Sequence, residues 1–171
     1  FETNFGDKIS SFSNLSWSPD DQYIVGVINN QLYQFDVIQK TWSNLLPAQN
    51  NIHFAHVSTP EKILFSSEQS GDWQIWQLNL STMKQTQLTQ KGGYSVQGNI
   101  DKNELFITKY NQNGLFHLSP KTHRETLVVP DFKVTAWNKW KLRGKQIYYA
   151  SAGDIYRVEW PNTTPQRILS S

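Results

Sequence analysis

Four apolar runs recur along the chain: Leu32-Tyr33-Gln34-Phe35, Ile75-Trp76-Gln77-Leu78, Leu115-Phe116-His117-Leu118 and Ile155-Tyr156-Arg157-Val158. Their first members lie 43, 40 and 40 residues apart. Each run follows an apolar triplet and precedes a polar turn and a third apolar scrap. A unit of that size, built from short runs, cannot bury its faces alone and must stack on copies of itself. The period therefore predicts an all-β chain, a β-propeller of four roughly 40-residue, four-stranded antiparallel blades. Residues 1–171 read as one propeller domain, with repeats near 11–48, 50–90, 92–131 and 132–171. Three arrangements stay open: a complete small ring, part of a larger ring, or half of a ring made by two chains. In the first, residues 1–13 would supply a closing strand.

Local pattern favours strands over helices. Leu15-Ser16-Trp17 alternates, Ser18-Pro19-Asp20-Asp21 is a turn, and Tyr23 to Ile28 is a continuous β-branched run of the kind covered on both faces. Pro19 sets φ for the turn, and Asp20 and Asp21 can bond their own backbone. Asn29-Asn30 reverses the chain; Leu32 to Val37 and Trp42 to Leu46 complete the blade. Later repeats follow, with Ile63-Leu64-Phe65, Trp73 to Leu78 and Gln87-Leu88 in the second. The third has Leu105-Phe106-Ile107 and Leu127-Val128-Val129, and the fourth Ile147-Tyr148-Tyr149 and Arg167-Ile168-Leu169. No segment has a period of 3.6, so almost no helix is expected.

The chain has no cysteine, which excludes disulfides and thiolate metal sites. Its seven Trp, seven Tyr and nine Phe supply large buried areas to thin sheets. No apolar run is long enough to cross a bilayer as a helix. The chain opens on Phe1 and its one Met is Met83, so the natural start, with any leader or anchor, is expected upstream. The net charge of +2 is uneven: residues 132–171 carry seven Lys or Arg against Asp154 and Glu159.

The block Ser18-Pro19-Asp20-Asp21-Gln22-Tyr23-Ile24, the strand ending at Asp36 and the run Ile75-Trp76-Gln77-Leu78-Asn79 resemble the repeat of TolB-like (WD40-like) propellers. In those proteins a Ser-Pro-Asp-Gly turn precedes an apolar strand. Asp21 stands where that family prefers Gly, and the fourth repeat has Lys141-Leu142-Arg143-Gly144 at this point. The resemblance implies the bacterial cell envelope and a periplasmic location. It extends to the extracytoplasmic part of membrane-anchored winged-helix regulators of the ToxR and CadC kind, with the anchor in a segment outside these residues.

Catalytic signatures are weak. Gly93-Tyr94-Ser95-Val96-Gln97 approximates a nucleophile elbow, but the fifth position is Gln97 and no α/β domain follows, so Ser95 reads as a strand residue. His53 and His56 point to opposite faces of a strand and cannot chelate together without a bulge; His117 and His123 fall in a strand and a turn. Asp20, Asp21, Asp72 and Asp101 occupy turns, where Asp serves the backbone. The sequons at Asn14, Asn79 and Asn162 matter only in a eukaryotic secretory pathway. No enzyme activity, metal or cofactor is expected.

One cluster stands out. Lys133, Trp137, Lys139, Trp140, Lys141, Arg143 and Lys145 interleave two large aromatics with five cations. Such a mixture can hold an anionic amphiphile, an acidic peptide or a nucleic-acid strand by stacking and charge together, and the modest total charge disfavours the last. Trp140 lies seven residues before Ile147, as Trp17 lies seven before Ile24, which gives Trp140 a second reading as a blade-packing residue. The expected task is non-enzymatic sensing or docking of a protein partner or small ligand, with no direct nucleic-acid contact and with homodimerisation open. The alternatives are a substrate-gating propeller of a prolyl-oligopeptidase-like hydrolase and a stand-alone TolB-like envelope scaffold.

Overall fold

The computed structural model describes residues 11–46 and 51–170. Its strands form four four-stranded antiparallel sheets, each made of consecutive strands in chain order. Blade 1 comprises β1 (Phe12–Trp17), β2 (Tyr23–Ile28), β3 (Gln31–Asp36) and β4 (Thr41–Asn44). Blade 2 comprises β5 (Ile52–Thr59), β6 (Lys62–Ser67), β7 (Gln74–Asn79) and β8 (Gln85–Gln87). Blade 3 comprises β9 (Ser95–Asn99), β10 (Glu104–Thr108), β11 (Leu115–Ser119) and β12 (Arg124–Val129). Blade 4 comprises β13 (Trp140–Arg143), β14 (Gln146–Ser151), β15 (Asp154–Glu159) and β16 (Gln166–Leu169). This is the four-bladed β-propeller that the period predicts. Helix among the described residues is confined to one 3-10 turn, Val134–Ala136.

The turns work as their residues suggest. Ser18 Oγ accepts the backbone N–H of Gln22 (3.1 Å) and of Tyr23 (3.0 Å), and Asp21 takes φ +58, the left-handed conformation for which the related repeats use Gly. Asn29 and Asn30 both have positive φ, as a two-residue hairpin requires.

Apolar cores join successive blades. Val25, Val27 and Leu32 of blade 1 meet Val57, Ile63 and Leu78 of blade 2. Leu64 and Ile75 of blade 2 meet Val96, Leu105 and Leu118 of blade 3. Phe106, Leu115 and Phe132 of blade 3 meet Trp140, Ile147 and Val158 of blade 4. The innermost strands β1, β5, β9 and β13 run side by side in one direction, and side chains stand in for the ladder bonds that strands this far apart cannot make. Val57 N–H donates to Ser16 Oγ (3.0 Å), Ile100 N–H to Ser58 Oγ (2.8 Å), and Leu142 N–H to Gln97 Oε1 (3.0 Å). Gln97 Nε2 also donates to the Trp140 carbonyl at 3.0 Å.

Two expectations change. Trp17 and Trp140 share a seven-residue spacing but not a register. Trp17 pairs with Ile24 across a long turn, whereas the two-residue turn after Arg143 pairs Trp140 with Tyr149. Of the segment expected to close the ring, Phe12 and Ser13 belong to the inner strand of blade 1 itself, and residues 1–10 lie outside the described residues.

Candidate ligand-binding mouth

The basic cluster does not assemble as one patch. Lys133 and Lys139 are exposed at the end of the propeller where the inner strands begin, and Trp137 is half-buried there. Trp140 opens β13 and is buried in the core between blades 3 and 4; its Nε1–H donates to the Trp137 carbonyl (2.9 Å) and to Ser95 Oγ (3.1 Å). Lys141 and Arg143 are exposed along β13, on the side away from blade 3, and Lys145 sits in the hairpin at the opposite end. At roughly 3.3 Å per residue, on the order of 15 Å of strand separates the two ends.

What the first end gains instead is aromatic. His53, Trp73, Tyr94, Tyr110 and Trp137 come from separate stretches of sequence and meet where β5, β7, β9 and β13 start and β10 ends. His53 stacks on Tyr94 with centroids 4.5 Å apart, and Trp137 meets both edge-on, at 4.8 and 5.2 Å. Trp73 is edge-on to His53 at 5.8 Å and to Tyr94 at 5.3 Å, and the exposed Tyr110 leans on Tyr94 at 5.1 Å. Gly93 makes the approach possible, because a Cβ there would lie 2.5 Å from Ile75. Burial holds the His53 imidazole below its usual pKa, and its Nε2 is buried without a hydrogen bond among the described residues. Burial, with Tyr110 and Glu68 nearby, raises the Tyr94 phenol. Beside this cluster Lys133, Thr135, Lys139, Ala150 and Gly153 line a hollow of about 320 Å³. The arrangement offers aromatic rings and two ammonium groups to a ligand.

The other residues singled out by sequence have structural settings. Ser95 Oγ lies 2.7 Å from Thr108 Oγ1, donates to the Trp137 carbonyl at 2.9 Å and accepts Trp140 Nε1–H, so its bonding capacity is filled. His56 lies apart from His53, on the inner wall, between Ser16 Oγ (3.3 Å) and the Gly98 backbone. His117 and His123 meet the Asn103 and Leu88 carbonyls, each at 2.9 Å. Sequence reading missed the aromatic mouth, since its members are scattered over 85 positions. The only local signal was an aromatic at the rim of several strands.

No family model matches the chain. No curated protein matches it either. Solved structures do. TolB from Acinetobacter baumannii superposes with a TM-score of 0.70 at 14% identity, over 90% of this chain and 42% of that one. A Mycobacterium tuberculosis puromycin-hydrolysing peptidase gives 0.74 at 12% identity, over 94% and 29%. The extracellular domain of a candidate one-component system from B. thetaiotaomicron gives 0.69 at 11% identity, over 98% and 26%. The chain thus spans less than half of each of these proteins, and at such identities the likeness shows the fold alone: a propeller like that of TolB and like the propeller part of a peptidase.

Proposed function

We propose that this propeller is a non-enzymatic sensing or docking module of the bacterial cell envelope, belonging to a membrane-anchored regulator of transcription. The observation that carries the reading is the mouth, where rings from blades 2 and 3 and from the linker to blade 4 converge near Lys133 and Lys139. It suits an anionic ligand or an acidic protein segment that stacks while its charge meets the ammonium groups. Support comes from the setting of Ser95, which is fully buried and bonded to Thr108, Trp137 and Trp140 rather than to a base, and from the fold shared with an extracellular domain of a candidate one-component system. A signal would pass when the ligand prefers one blade packing over another.

Substrate gating in a hydrolase is the second reading, favoured by the likeness to a peptidase. Reading the encoding gene on both sides of these residues separates the two. A winged helix and a membrane span upstream sustain the regulator, and an α/β domain downstream with a Ser-His-Asp set replaces it. The mouth itself is tested in the full-length protein by Lys139→Glu against Lys145→Glu at the far end. Lys139→Glu should weaken the response to ligand at least about tenfold, a loss of about 1.4 kcal/mol, and Lys145→Glu should leave it unchanged. Equal effects would remove the mouth from the mechanism.

A further inference from the structure

Trp137 lies in the linker between blades 3 and 4, and its ring and its carbonyl serve different seams. The ring packs against the core shared by blades 2 and 3, edge-on to Phe54 with centroids 6.2 Å apart, as well as to His53 and Tyr94. The carbonyl stands at the seam between blades 3 and 4. There it accepts Ser95 Oγ–H and Trp140 Nε1–H, each at 2.9 Å, which uses both of its lone pairs. Both donors are buried, and they belong to the inner strands β9 and β13. The neighbouring Ala136 packs against the core of blades 3 and 4, so the linker changes seams between two adjacent residues.

The linker backbone is tightly tied. Ala136 N–H donates to the Lys133 carbonyl (2.9 Å), Trp137 N–H to that of Val134 (3.2 Å) and Lys139 N–H to that of Ala136 (2.7 Å). Its two ends are anchored as well: Val134 N–H donates to Asn113 Oδ1 (3.0 Å), and Ala150 N–H to the Lys139 carbonyl (3.0 Å). A ring held by His53, Tyr94 and Phe54 on so short a tether fixes where the carbonyl stands. Farther along the same seam Gln97 bridges β9 to β13 directly, through the Trp140 carbonyl and Leu142 N–H. At the mouth end the direct bond, Trp140 Nε1–H to Ser95 Oγ at 3.1 Å, is longer than the two that converge on Trp137.

We propose that Trp137 is a positioning residue that makes the mouth and the packing of blade 4 one energetic unit: a ligand that clamps its ring tightens the seam between blades 3 and 4. This rests on the reading of the mouth as the ligand site, and it names the route by which occupancy reaches blade packing. Such coupling is reciprocal, so a change at the seam alters binding at the mouth by the same factor. His53 of blade 2 then controls the first strand of blade 4, although it makes no hydrogen bond or ring contact with β13 among the described residues.

Amide hydrogen exchange of the full-length protein, read strand by strand, reports the local opening that this coupling controls. His53→Ala should quicken exchange across β13 at least about threefold, while β2 of blade 1 keeps its protection. In a Trp137→Leu background, His53→Ala should add nothing at β13. In a Trp137→Phe background, which keeps an aromatic ring, it should quicken β13 again. Tyr110→Ala removes an exposed ring that leans on Tyr94, and it should leave β13 unchanged. An unchanged β13 in His53→Ala overturns the proposal. So does an effect that survives Trp137→Leu, which would run through Tyr94 and its peptide bond to Ser95, or an equal effect of Tyr110→Ala, which would be a general loosening of the mouth end. No ligand enters these measurements, so their failure leaves the mouth standing as a binding site, and a failure of Lys139→Glu to alter the response leaves the coupling standing.

Discussion

His56 shows how one residue ties three blades together. Its Nδ1 faces Ser16 of blade 1 and its Nε2 faces both Gly98 N (3.0 Å) and Gly98 O (3.1 Å) of blade 3. The neutral ring accepts the Gly98 N–H, and a protonated ring must give that bond up. Desolvation lowers its pKa to about 4; the Gly98 carbonyl, an acceptor for the protonated ring, opposes the shift, and Lys141 adds to it. Between that value and the ordinary 6.5, the unfolded chain binds a proton that the folded chain does not, so stability rises with pH. The contribution is full above about pH 6.5 and is lost on acidification toward pH 4, on the order of 3 kcal/mol in all. Urea midpoints at pH 7.5 and 4.5 should differ strongly for the native chain and much less for His56→Gln. Burial lowers His53 in the same direction, so a residual slope in that variant is expected.

Within single elements, the sequence rules hold where the determinants are local. Asn29-Asn30, the Ser18 turn, the alternation in β1 and the continuous apolar run of β2 are each decided by a few adjacent residues, and they were legible as written. Gly98 was not. It lies in the middle of β9 with φ +125, and a Cβ there would fall 1.8 Å from the Glu104 carbonyl oxygen. The same residue receives the His56 and Ser58 side chains, so it is both a conformational and a docking requirement of the strand. Gly98→Ala should cost more than about 1 kcal/mol, read as a lowered urea midpoint. An unchanged midpoint would mean that β9 can shift without loss. The inner strand β5, which binds blade 1 to blade 2, went unread because its Ile52–Thr59 stretch mixes polar and apolar residues across two bulges.

Across the whole molecule, stability resides in three interfaces between blades more than in any blade alone. Trp140 fills the third, against Phe132 and beneath Trp137. Trp140→Ala should cost about 3 to 5 kcal/mol, and hydrogen exchange should quicken first in β13 to β16, while β5 to β8 remain protected. Uniform acceleration would show the four blades to unfold as one unit.

The repeat, the strands and the hairpins were set by the sequence itself, because a β-strand's alternation and a turn's φ preferences act over two to six neighbouring residues. Which aromatics meet and where each lysine of the basic stretch emerges were decided only in the folded molecule. Those outcomes depend on the register between strands about 40 positions apart, and register follows from turn lengths and bulges that residue spacing does not reveal.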